Sequence, residues 1–67
     1  MKYQVGDIVD YKLFKKSENV YKAKVVLVNR NEKYYIIEYE DMWGAMVRDL
    51  TTDEELEAMF KDWVKGV

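Results

Sequence analysis

Thr51-Thr52-Asp53-Glu54-Glu55-Leu56-Glu57-Ala58-Met59-Phe60-Lys61-Asp62-Trp63-Val64-Lys65-Gly66-Val67 carries the one helical signature in the chain. Leu56, Met59, Phe60, Trp63, Val64 and Val67 recur at spacings of three and four, the apolar stripe of an amphipathic helix. Thr52 suits the cap position, and Glu55 three residues on completes a capping box. Asp53, Glu54 and Glu55 favour the positive helix start, and Lys61 and Lys65 its negative end. Gly66 is a natural stop. A helix is therefore expected over 52–65. Trp63 and Phe60 are expected to pack it against the rest of the domain.

Upstream of Thr51 the apolar residues alternate with polar ones, the period of strands. The first strand is expected over about 7–14, with Val9, Tyr11 and Leu13 inward and Asp10 and Lys12 outward. The second is expected over about 20–28. Lys22 and Lys24 mark its outer face, leaving Tyr21, Ala23, Val25 and Leu27 inside. A turn at Asn29-Arg30-Asn31-Glu32 fits, because Asn tolerates left-handed backbone. The third strand is expected over about 33–40, with Tyr35, Ile37 and Tyr39 inward and Glu38 and Glu40 outward. Asp41-Met42-Trp43-Gly44 reads as the next turn. A short fourth strand follows over about 45–48, with at most a fragment of a fifth near Asp49 and Leu50.

Sixty-seven residues make one domain, 1–67, close to the lower size limit for independent folding. The chain has no Cys and no His, which removes disulfides and the commonest structural zinc sets. Six Tyr, two Trp and two Phe supply bulk for a compact core or a stacking surface instead. The same missing residues deprive an active site of its usual general base and thiol nucleophile. No catalytic residue, metal or cofactor is expected. No span is apolar enough to cross a membrane and no export signal is read, so a cytoplasmic location and no membrane association are expected. The short, Pro-free chain rich in Lys, Tyr and Glu suggests a prokaryotic or phage source.

The formal net charge of −2 hides an asymmetry. Residues 11–33 carry a net of +5 and residues 34–67 a net of −6. Cross-strand charge pairing and solubility account for this simply. A phosphate-binding surface built from Lys12, Lys15, Lys16, Lys22 and Lys24 is the alternative, against an overall pI near 5.0.

Val5-Gly6-Asp7-Ile8-Val9, Tyr21-Lys22-Ala23-Lys24-Val25, Tyr39-Glu40-Asp41-Met42-Trp43-Gly44, Val47 and Leu50 together resemble the Tudor-type group of SH3-like domains. The resemblance spans about residues 5–50. It implies a mainly β fold: an SH3-like barrel of four or five antiparallel strands, here with one C-terminal α-helix. It also implies an aromatic group at one barrel mouth, formed at the matching positions by Tyr21, Tyr39 and Trp43. Such groups hold cationic side chains by cation–π attraction. The function expected is a non-catalytic module that binds a protein partner through this mouth. Two alternatives stand beside it. One is a nucleic-acid-associated module using the basic 12–24 surface. The other is a small phage- or plasmid-encoded inhibitor of a host protein, acting through its acidic helix.

Overall fold

Four antiparallel strands follow one another along the chain and lie side by side in the same order. A computed structural model describes residues 1–12 and 19–58. The strands are β1 (Ile8–Tyr11), β2 (Tyr21–Asn29), β3 (Tyr34–Glu40) and β4 (Met46–Thr51), arranged β1-β2-β3-β4. A helix, α1, starts at 53 and is described as far as 58. The expectations for Leu13, Lys15 and Lys16, and for the stripe from Met59 to Val67, fall outside the described residues.

The alternation of the sequence becomes the two faces of this sheet. Val9, Tyr11, Ala23, Val25, Tyr35, Ile37 and Tyr39 are buried on one face, and Leu56 of α1 packs into the same cluster. Lys22, Lys24 and Arg48 stand on the other face. Opposite charges meet there: Lys22 pairs with Asp10, and Arg48 Nε lies 2.9 Å from Glu38 Oε2. Lys24 stands opposite Glu38 in the β2–β3 register. Such exposed pairs contribute at most about 1 kcal/mol each, so they set register and solubility more than stability.

One inward assignment fails, and a bulge explains it. Val25 pairs with Ile37, but the next partner pair is Leu27 with Ile36, so Val26 is an extra residue on β2. An inserted residue reverses the facing of everything after it. Leu27 therefore stands 44% exposed on the outer face, and Val28 takes its place against the core.

The fourth strand is longer than expected, because Asp49, Leu50 and Thr51 continue β4 to six residues. No fifth strand occurs among the described residues. Thr51 is fully buried beside Tyr35, its register partner. The chain then turns into α1 through the expected cap. Thr52 Oγ1 accepts from the Glu55 N–H at 3.1 Å. The reciprocal half differs: the Glu55 carboxylate accepts from the Thr51 hydroxyl at 3.4 Å.

Two turns explain short motifs. In Gln4–Asp7, Gly6 takes φ +99°, a conformation open to glycine at little cost. Asp7 N–H donates to the Gln4 carbonyl at 3.0 Å, and its carboxylate accepts from the Gln4 N–H at 2.9 Å. In the β2–β3 turn the left-handed residue is Lys33 (φ +59°), not an Asn. Asn29 acts through its side chain instead, accepting from the Glu32 N–H at 2.9 Å.

Tyr35 ties the N-terminal segment, the sheet and the helix together. Its ring is fully buried. Its hydroxyl donates to Asp53 Oδ1 at 2.5 Å and accepts from the Tyr3 N–H at 3.1 Å. The Tyr3 ring meets it edge-on at 5.7 Å. Burial, and then the Asp53 carboxylate, push the Tyr35 phenol above its ordinary range, so it remains a donor.

Candidate functional site

Two neighbouring features arise where β3 ends: a tyrosine cluster on the inner face and a tryptophan on the turn beyond. Inner-face parity places Tyr11, Tyr21 and Tyr39 together. Tyr39 lies 5.0 Å from Tyr21 and 5.4 Å from Tyr11 between ring centroids, both tilted. Such spacings fall in the favourable range for aromatic pairs. Tyr11 and Tyr39 are buried, while Tyr21 at the start of β2 keeps partial exposure.

Asp49 completes this cluster. It sits on β4 opposite Ile37, and so shares the inner face. Its carboxylate accepts from the Tyr11 hydroxyl at 2.6 Å. The bond joins the two edge strands, which among the described residues have no backbone pairing with each other. The sheet curls about its inner face, clasped there by side chains. Burial raises the Tyr11 phenol well above its ordinary range, and the bond to Asp49 adds to the shift. Burial raises Tyr39 as well, with the Asp49 charge as the next contribution. All three effects favour the neutral phenol.

The β3–β4 turn is built on Asp41. Its Oδ1 accepts from the Trp43 and Ala45 N–H groups, both at 2.9 Å. The Asp41 N–H donates to the Ala45 carbonyl at 2.9 Å, and Gly44 N–H donates to the Asp41 carbonyl at 3.1 Å. Gly44 takes φ +82°, which a side chain would strain. These bonds order the backbone and leave the tip side chains outside. Trp43 is 83% exposed; Met42 and Met46 beside it are also exposed.

Of the three residues expected to form one aromatic mouth, Tyr21 and Tyr39 are in ring contact. Trp43 stands apart on the turn, with no ring contact among the described residues. The sequence reading missed Tyr11 and Asp49 as members of the cluster. Inward parity already pointed to Tyr11; Asp49 was hidden by ending the fourth strand too early.

Of the lysines expected to form a basic surface, the structure describes Lys12, Lys22 and Lys24. Lys12 is only 5% exposed, not outward-facing. Lys22 and Lys24 are exposed on β2 and stand across from carboxylates. Lys15 and Lys16 lie outside the described residues. Among the described residues no group of three or more His, Cys, Asp or Glu could hold a metal ion, and no helix is long and apolar enough to cross a membrane. Two open depressions, one along Leu27 to Asn31 and one at Lys33 and Thr52 to Glu54, include neither the tyrosine cluster nor Trp43.

Comparison with protein-family models, with curated proteins and with solved structures finds no match in any of the three.

Proposed function

We propose that this protein is a non-catalytic interaction module of Tudor-type, SH3-like character that binds a protein partner, with Trp43 as its anchor. The exposure of Trp43 on an ordered turn carries the reading. A large aromatic left in water loses the apolar gain of burial, and Trp is among the commonest hot-spot residues. The four bonds within the Asp41 turn fix the backbone beneath it in advance. Little further order is then lost on binding. Tyr21, partly exposed and resting on Tyr39, is the member of the inner cluster available to a partner. The absence of His and Cys in the sequence supports a role without catalysis. The Lys22–Asp10 pair, and the Glu38 carboxylate standing opposite Lys24, favour this reading over a phosphate-binding one.

The test is affinity capture from a lysate of the source cell, with wild type beside Trp43→Ala and a thermal melt of both. The substitution is expected to weaken partner binding at least tenfold, about 1.4 kcal/mol or more. The melting temperature should stay within a few degrees. Unchanged capture would move the site elsewhere; equal loss of binding and fold would make Trp43 a structural residue.

A further inference from the structure

The charges around Trp43 say what its partner should look like. From Tyr39 to Val47 the chain carries Glu40 and Asp41 and no Lys or Arg. Glu40 is exposed on the outer face, directly across from Met46 in the β3–β4 register. One of its carboxylate oxygens lies 3.6 Å from where a Cβ on Gly44 would stand, which puts the charge against the turn. Two cations of this face are engaged elsewhere, Lys22 with Asp10 and Arg48 with Glu38, and Lys24 stands opposite Glu38 rather than Glu40. Among the described residues the Glu40 carboxylate has no ion-pair or hydrogen-bond partner. Asp41 adds a second negative charge while its Oδ1 holds the turn. The tip is thus an apolar knob of Met42, Trp43 and Met46 with an acidic collar.

We propose that the partner is a protein presenting an apolar cleft with Lys or Arg at its rim, into which Trp43 inserts while Glu40 pairs with that rim. The inference rests on Trp43 being the anchor, as argued above. Burying the indole supplies affinity, whereas the collar selects and steers the partner. A cleft with an acidic rim would meet Glu40 as a like charge. The same collar disfavours an anionic lipid surface or a nucleic acid as occupant.

The experiment presents the immobilised full-length chain to a library of repeat proteins with a randomised concave face. Recovered binders are measured against wild type, Trp43→Ala, Glu40→Gln and Glu40→Lys, each checked by thermal melt. Binders are expected to be enriched in Lys and Arg around an apolar centre. They should bind Trp43→Ala at least tenfold more weakly and Glu40→Gln about two- to fivefold more weakly. Glu40→Lys should cost about tenfold or more, and added salt should weaken wild type more than Glu40→Gln. Binders that need Trp43, lack a basic excess and tolerate Glu40→Lys would overturn the charge inference and leave the anchor standing. Binders indifferent to Trp43→Ala would overturn the anchor itself, and the charge inference with it.

Discussion

Single side chains carry much of the organisation of this small sheet. Tyr35 is the clearest case, because one buried hydroxyl serves both the N-terminal segment and the first turn of α1. Tyr35→Phe keeps the ring and removes both bonds, leaving the Tyr3 N–H without its acceptor. The expected loss is about 1–3 kcal/mol, read as a lower denaturation midpoint at unchanged slope. Asp41 plays the equivalent part at the β3–β4 turn. Asp41→Ala should destabilise by about 1–3 kcal/mol, since two backbone donors lose a charged acceptor. It should also weaken partner binding with Trp43 still in place, because the anchor would no longer be held in advance. A binding assay of Asp41→Ala at a temperature where the variant remains folded measures this second effect.

At the scale of the element, two local departures from regularity set what each strand shows to solvent. The bulge at Val26 sends Leu27 outward. Leu27→Thr is therefore expected to change stability by no more than about 0.5 kcal/mol, whereas a truly inward Leu would lose several times that. Urea denaturation of the variant distinguishes the two outcomes. The turn between β2 and β3 holds Lys33 at φ +59°, a conformation that costs an L-residue roughly 1–2 kcal/mol relative to glycine. Lys33→Gly should raise stability by about 0.5–1 kcal/mol once the greater freedom of glycine in the unfolded chain is deducted. The same denaturation curve reports it as a higher midpoint.

For the whole molecule, the inner face concentrates neutral phenols in a small core. Tyr11, Tyr35 and Tyr39 are all raised by burial. The unfolded chain would ionise them near pH 10, its ordinary tyrosine value, while the folded chain holds them protonated to higher pH. A raised folded pKa gives stability that is fully present below the unfolded value and is lost as pH climbs through the folded one. The fold should therefore hold its full tyrosine-linked stability through neutral pH and lose it progressively above about pH 10. Absorbance titration beside circular dichroism checks this. The late phenolate signal should rise together with loss of sheet structure. Phenolates from all six tyrosines appearing before any unfolding would contradict the buried cluster.

Several features of this architecture were legible from residue order alone. Alternation at Val9 and Tyr11, at Ala23 and Val25, and at Tyr35, Ile37 and Tyr39 assigns the buried face, because a strand's side chains change sides at every residue. Thr52 and Glu55 mark the helix start, because capping is a contact between residues three apart. Gly44 marks a turn, because a left-handed backbone suits glycine. These are local constraints, and the chain states them locally. The bulge at Val26 was not legible, since an extra residue exists only relative to the partner strand it fails to match. The length of β4 was hidden likewise: Asp49 and Thr51 are polar, and they belong to the inner face because Tyr11 and Tyr35 meet them there. Lys12 read as an outward charge but is buried. The candidate site divides along the same line. An aromatic at residue 43 was plain in the sequence, but its separation from Tyr21 and Tyr39 depends on how a folded turn projects from a curled sheet, and only the tertiary structure decides that.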